Sequence, residues 1–216
     1  MVSNPLAGWW GKNKKKVIIG GVAVAAVWVL FSSGDTPKPE TVTVPEDYPS
    51  ANREVIVQAP GDPDNPLPLV IILHDNGMDA AAMERASEAS SLANRRDFAL
   101  AFPEAVGGTW RVDDPNGPDA QYVKDVIQFM DDERTDIDKD RIYIWGIGEG
   151  ARLALTLACS DQSPGFAAVG VVGQFDPEPQ PMCEDVVPIG RVTERSWDED
   201  VTDTLWEFSR DLRRRI

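Results

Sequence analysis

The most informative stretch of the chain reads Arg141-Ile-Tyr-Ile-Trp-Gly-Ile-Gly-Glu-Gly-Ala-Arg152. Its first five residues are mostly β-branched or aromatic, which is typical of a short buried strand. Three glycines at alternate positions then permit a sharp turn. Residues 151–159 are rich in alanine and leucine and predict a helix. The stretch therefore predicts a strand, a tight turn and a helix in immediate succession.

Strands and helices alternate along the rest of the chain. Further strands are predicted at Arg53–Gln58, Pro68–His74, Phe98–Phe102, Ala167–Gly173 and Val186–Val192. Helices are predicted at Asp79–Arg95, Asp119–Arg134 and Asp198–Arg215. Such alternation indicates an α/β fold with a mostly parallel sheet and helices on both faces.

The N-terminal region predicts a membrane segment. Residues 1–16 end in a basic cluster, and the 15 residues from Val17 to Phe31 have no polar side chain. We predict a cytoplasmic basic N-terminus over 1–16 and a transmembrane anchor over 17–33, with the folded domain outside the cytoplasm. The alternative is a secretory signal cleaved at Ser32-Ser33-Gly34. Tryptophans of the kind found at membrane interfaces favour the anchor, namely Trp9, Trp10 and Trp28.

A linker and one domain are predicted to follow. Residues 34–51 combine prolines with acidic residues, which favours an extended, solvated segment. The folded α/β domain is therefore predicted to span 52–216.

Charge and cysteine content limit the partners and the compartment. Residues 1–34 contain four lysines and no acid, so the remainder carries 17 bases, 36 acids and a net charge of −19. Such a body repels nucleic acid, and its predicted partners are the membrane, through the N-terminal helix, and an unidentified protein.

Cys159 and Cys183 are either a disulfide, which an extracytoplasmic domain permits, or two buried thiols.

Several segments in order resemble the polyhydroxybutyrate depolymerase and feruloyl esterase family of the α/β-hydrolases. They are Pro68–His74, Phe102-Pro103-Glu104, Trp110, Val123–Phe129, Asp136–Tyr143 and Leu157-Ala-Cys159. The resemblance implies an α/β-hydrolase fold in which the turn after the central strand is a nucleophile elbow, G-x-S-x-G. Here the five elbow residues are Gly146-Ile147-Gly148-Glu149-Gly150.

The departures from the family pattern concern every part of the catalytic machinery. Gly148 stands where the nucleophilic serine is expected, and Arg195 where the resemblance places the triad histidine. A guanidinium stays protonated and cannot accept a proton from a nucleophile. Asp75 follows His74 where the family has glycine, and its carboxylate would oppose a developing oxyanion. No acid of the triad can be assigned between Gly173 and Arg195.

Two alternative interpretations of these residues are weaker. His74, the only histidine, could be a relocated base, but a strand-end histidine satisfied by hydrogen bonds is favoured. Residues 146–151 also fit the dinucleotide fingerprint G-x-G-x-x-G/A, with Asp176 ending the next strand. The position on a late strand and the extracytoplasmic location argue against that cofactor.

The sequence thus predicts a membrane-anchored protein with a hydrolase fold and no triad, acting as a binding or accessory subunit of a membrane or envelope complex. No catalytic residue, cofactor or metal is assigned. The candidate pocket residues are His74, Asp75, Trp110, Gly148, Glu149, Arg195 and Trp197. The competing interpretation is a secreted or anchored carboxylic-ester hydrolase with a non-standard site.

Overall fold

The computed structural model describes residues 36–59, 65–174, 183 and 185–214. The predicted basic N-terminus and the anchor at 17–33 lie outside these residues. Among the helices of the described part, none has the length and apolar character needed to cross a membrane.

The described chain forms a mixed sheet with helices. The strands are β1 Glu40–Thr43, β2 Glu54–Gln58, β3 Leu67–Leu73, β4 Ala99–Pro103, β5 Ile137–Ile147, β6 Ala168–Val172 and β7 Ile189–Val192. The α-helices are α1 Ala80–Ser87, α2 Ala89–Arg96, α3 Pro118–Phe129, α4 Glu149–Ala158 and α5 Glu199–Ser209. A 3₁₀ turn covers Val106–Gly108, and a π-helical turn at Met130–Arg134 extends α3.

The strand order places the ends of β3 and β5 side by side at a switch point. The order is β1-β2-β4-β3-β5-β6-β7, and the five strands from β4 to β7 in this order run parallel. From β3 the chain crosses to β4 on one side, whereas β5 pairs on the other side. In open α/β sheets, ligands bind at the carboxyl ends of strands where the order reverses in this way. Leu73 is in register with Gly146, so the loops after β3 and β5 leave the sheet together.

The core explains why the central strands contain few polar residues. All seven residues of β3 and all five of β4 are buried, because helices cover both faces of the sheet. Trp206 of α5 stacks on Phe98, with ring centroids 4.3 Å apart. The indole N–H of Trp145 in β5 donates to Ser209 Oγ of α5 at 3.2 Å, so the large aromatic side chain is buried without an unpaired donor.

The predicted linker over 34–51 is corrected by the structure, which places part of it in the fold. Strand β1 pairs antiparallel with β2, and Val44 and Tyr48 are buried. Tyr48 packs edge-on against Phe129 of α3, with centroids 6.2 Å apart. The prolines and acids of this segment therefore surround a strand that gives β2 its second neighbour.

The helices α1 and α2 replace the single helix predicted at 79–95. Glu88 adopts the left-handed conformation, with φ 50°, and separates them. Helix α5 ends at Ser209 rather than at the predicted Arg215. The backbone N–H of Arg214 instead donates to Asp140 O at 2.9 Å, so the residues after α5 pack along the start of β5.

We predict that replacing Glu133 by glutamine stabilises the protein at neutral pH. Desolvation raises the pKa of the Glu133 carboxyl, and the charges of Asp47 and Asp132 raise it further, against a hydrogen bond from Tyr48. A carboxyl with a raised pKa in the folded state favours folding when protonated, and this contribution is lost as pH rises through that pKa.

Because the Glu133 side chain is largely exposed, the gain should be below about 1 kcal/mol. Thermal unfolding of both proteins at neutral and acidic pH checks this, and the difference should vanish on acidification. Asp131→Asn is the control, because Asp131 pairs with Lys139 at 2.8 Å and its loss should not stabilise. A gain from Glu133→Gln that persists at acidic pH would contradict the electrostatic cause.

Candidate functional site

The predicted strand, turn and helix are present at the centre of the sheet. Strand β5 ends at Ile147, Gly148 makes the turn with φ 56° and ψ −121°, and α4 begins at Glu149. Glycine adopts such a positive φ without steric cost. A Cβ atom on Gly150 would overlap the carbonyl oxygens of Leu73 and His74, so the helix can approach β3 only because this residue has no side chain.

Asp75 fills the space in which the side chain of residue 148 would lie. A Cβ atom built on Gly148 would overlap all three atoms of the Asp75 carboxylate. The position that presents the nucleophile in an elbow is therefore occupied by a carboxylate from the neighbouring loop.

The same carboxylate accepts hydrogen bonds from two backbone N–H groups beside the elbow. In this architecture the oxyanion hole is formed by the N–H after the nucleophile and by an N–H from the loop after β3. The first of these corresponds to Glu149 N, which donates to Asp75 Oδ1 at 2.9 Å, and the same oxygen accepts from Asn76 N of the loop at 2.8 Å. A negative charge at the start of α4 is favourable, and it supplies the helix cap that Gly148 cannot provide.

His74 is buried beneath this loop and its two ring nitrogens are engaged. Nδ1 lies 2.8 Å from Asp75 O, and Nε2 accepts from Ala105 N at 3.2 Å. This pattern is satisfied by a neutral ring that carries its proton on Nδ1. The Glu104 carboxylate lies 3.8 Å from Nε2. Trp110 covers the ring at a centroid distance of 4.8 Å and donates its indole N–H to His74 O at 2.8 Å.

The structure brings together five of the seven candidate pocket residues. His74, Asp75 and Trp110 form one contact group, and Asp75 joins it to Gly148 and Glu149. The Glu149 side chain turns away to pair with Arg152 at 3.1 Å.

The other two candidates make no hydrogen bond or ring contact with these five among the contacts of the described residues. Arg195 is exposed and its Nε donates to Gln174 Oε1 at 3.0 Å. Trp197 is buried in the core, and its indole N–H donates to Thr202 Oγ1 at 2.8 Å. The Thr202 hydroxyl in turn donates to Ser87 O at 2.7 Å, so this chain of hydrogen bonds joins Trp197 and α5 to α1. Asp176 lies outside the described residues.

A groove that the sequence did not predict lies beside the loop after β4. Its volume is about 820 Å³, within the usual range for small-molecule sites. Thr41 and Thr43 of β1 and Ile56 of β2 form one side, and the 105–108 turn forms the other. Val106 on this turn is 70% exposed.

Cys159 and Cys183 are joined by a disulfide, with Cα atoms 5.5 Å apart. Of the two alternatives left open by the sequence, the structure contains the pair and not the free thiols. The bond ties the end of α4 to the segment before β7, away from the elbow at the start of that helix.

Residues 54–176, more than half of the chain, match the sequence profile of the family described as Esterase PHB depolymerase. The chain belongs to this family. The protein named "Putative esterase NocK" from Nocardia uniformis subsp. tsuyamanensis is 33% identical to this chain over 165 residues. The match covers 68% of this chain but 46% of that relative, so the chain spans about half the length of the curated relative it matches.

Solved structures support the family assignment at the level of the fold. The acetyl xylan esterase from Aspergillus awamori superposes with a TM-score of 0.53 at 18% identity, covering 62% of this chain and 51% of that protein. The S-formylglutathione hydrolase FrmB from Staphylococcus aureus gives a TM-score of 0.52 at 15% identity, covering 82% of this chain and 68% of that protein. Both support an α/β-hydrolase-like fold with a mostly parallel sheet and helices.

Proposed function

We propose that this chain is a member of the esterase family that has lost hydrolase chemistry and acts as a binding or accessory protein. The observation that supports this is the Asp75 carboxylate, which lies in the volume of the nucleophile side chain and accepts from Glu149 N, the N–H that follows the nucleophile position. A substrate carbonyl cannot bind there while the carboxylate is in place.

Among the residues that the structure describes, those around the elbow offer no substitute for a triad. Ester hydrolysis requires a nucleophile and a base beside it. Gly148 has no side chain, and Nε2 of His74 is engaged by the Ala105 N–H. Arg195 carries a guanidinium, which has hydrogen-bond donors and no acceptor, and so it cannot replace a histidine base.

The second candidate function is carboxylic-ester hydrolysis with a non-standard site. Membership of the esterase family favours it, as does the elbow backbone, which keeps the strand, sharp turn and helix needed to present a nucleophile. This alternative requires the Asp75 loop to move and a nucleophile from another part of the chain or from a partner.

We expect the full-length protein to show no esterase activity. Short-chain nitrophenyl esters should hydrolyse no faster than in buffer, and a fluorophosphonate probe should label no residue. An active esterase of the same family serves as the positive control. Labelling of one hydroxyl, together with turnover that is lost in His74→Ala but not in Arg195→Ala, would establish the hydrolase instead.

The accessory role also includes a location, with residues 17–33 as a membrane anchor and the folded domain outside the cytoplasm. The disulfide between Cys159 and Cys183 supports an oxidising compartment, where such bonds persist. The partner is proposed to be a protein of the same membrane or envelope. Retention of the chain in the membrane pellet after alkaline carbonate extraction is the measurement that checks the anchor.

A further inference from the structure

We infer that the Asp75 carboxylate is an internal ligand of the N–H groups of Glu149 and Asn76, so that a contact built into the loop after β3 fills the space beside the elbow. The site is the same as that of the proposed function. The inference concerns which group accepts the hydrogen bonds of Glu149 N and Asn76 N, however, and not whether the protein hydrolyses esters.

The space above Gly148 differs from the space around the other two elbow glycines. A side chain on Gly146 would overlap the backbone of Gly150, and one on Gly150 would overlap the backbone of Leu73 and His74. A side chain on Gly148 would overlap only side-chain atoms of Asp75 among its three nearest neighbours. The three atoms nearest to a Cβ at this position therefore all belong to one carboxylate, which a substitution can remove.

The hydrogen bonds of Asp75 differ from those of the other aspartates at helix starts. Asp79 caps α1 by accepting from Ala82 N at 2.6 Å, and Asp198 caps α5 by accepting from Val201 N at 3.1 Å. Each belongs to the turn that it caps. Asp75 instead reaches the first residue of α4 from 74 positions away in the chain. Its carboxylate therefore links the loop after β3, through Asn76 N, to the start of α4.

Backbone contacts hold the Asp75 loop without help from its carboxylate. Asp75 O accepts from Met78 N at 3.1 Å and lies within hydrogen-bonding distance of His74 Nδ1, while Gly77 N donates to Gly108 O at 3.0 Å. Removing the carboxylate should therefore leave the two N–H donors in place around a vacant space. The chemical class that fits this space is a small carboxylate, and formate is the smallest probe.

The test is chemical rescue of the full-length Asp75→Ala variant in thermal unfolding. Loss of one helix cap should lower Tm by about 2–4 °C. Formate at tens of millimolar should restore at least half of this loss relative to chloride at equal ionic strength, and it should leave the wild type unchanged. Asp79→Ala and Asp198→Ala are matched controls, which should lose stability without recovery in formate.

Failure of formate to restore Asp75→Ala, or equal recovery of the two control variants, would overturn the inference. If Asp75→Ala does not fold, hydrogen exchange of the wild type and of Asp75→Asn decides. The Glu149 amide should be protected in the wild type and should exchange faster in Asp75→Asn, since an amide oxygen is a weaker acceptor than a carboxylate. A Glu149 amide that exchanges at the same rate in both proteins would also overturn it. Hydrolysis does not enter these measurements, so the inference and the proposed function can fail separately.

Discussion

Replacing Gly148 by serine, the residue that an active elbow would carry, is expected to destabilise this protein by about 3 kcal/mol. Two costs combine. The backbone has φ 56°, which strains any residue with a side chain, and the new Cβ would overlap the Asp75 carboxylate. Serine at this position is therefore incompatible with Asp75 in its present place.

A double-mutant cycle separates the overlap from the strain. Asp75→Ala alone should cost about 1 kcal/mol through the lost cap. The double variant should be more stable than the sum of the single changes predicts, by about 1–2 kcal/mol, because the overlap disappears. Chemical unfolding of the four proteins measures this coupling.

Gly107→Ser is the control for a side chain at positive φ without an overlap. Gly107 has φ 66° and ψ 22°, in the left-handed region, whereas Gly148 has ψ −121°, and a Cβ on Gly107 would have no neighbour within 4 Å. This variant should be clearly less destabilising than Gly148→Ser, and its combination with Asp75→Ala should be additive. Additive behaviour of Gly148→Ser with Asp75→Ala would show that the two positions do not compete for space.

The contact between Asp75 and Gly148 shows which features of the site can be predicted from the sequence and which cannot. The glycines and the flanking patterns predicted the elbow, because its strand, turn and helix are local features. The sequence also indicated that Asp75 would oppose an oxyanion. That its carboxylate fills the nucleophile's volume depends on the pairing of Leu73 with Gly146, a long-range register that no local pattern contains.

Other differences from the sequence predictions arise where the local sequence left more than one structure open. The alternation of threonine and valine over residues 41–44 was a strand signal, but the surrounding prolines and acids favoured a linker. Glu88 has a left-handed backbone and separates α1 from α2, but no neighbouring glycine or proline signals this break in the sequence. Trp197 was placed in a pocket by resemblance, yet its contacts with Thr202 belong to the core. In each case tertiary packing decided between structures that the local sequence permitted equally.

Reduction of the Cys159–Cys183 disulfide is expected to cost about 3.5 kcal/mol of stability. The bond closes a loop with a sequence separation of 24. Cross-linking a loop of this length lowers the entropy of the unfolded chain, which raises the free energy of the unfolded state by about 3.5 kcal/mol at 25 °C. For a protein of this size, the loss corresponds to a decrease in Tm of about 7–14 °C. Thermal unfolding with and without a thiol reductant measures it.

The variant Cys159→Ala/Cys183→Ala provides the control, because its Tm should match that of the reduced wild type and should not respond to reductant. Equal Tm values for the oxidised and reduced wild type would mean that the bond does not constrain the unfolded chain.

The size of the effect also bears on location, since a chain that depends on this bond is most stable where thiols are oxidised. Alkylation of free thiols in intact cells should therefore leave both cysteines unmodified, whereas a domain folded in the cytoplasm would be labelled at both.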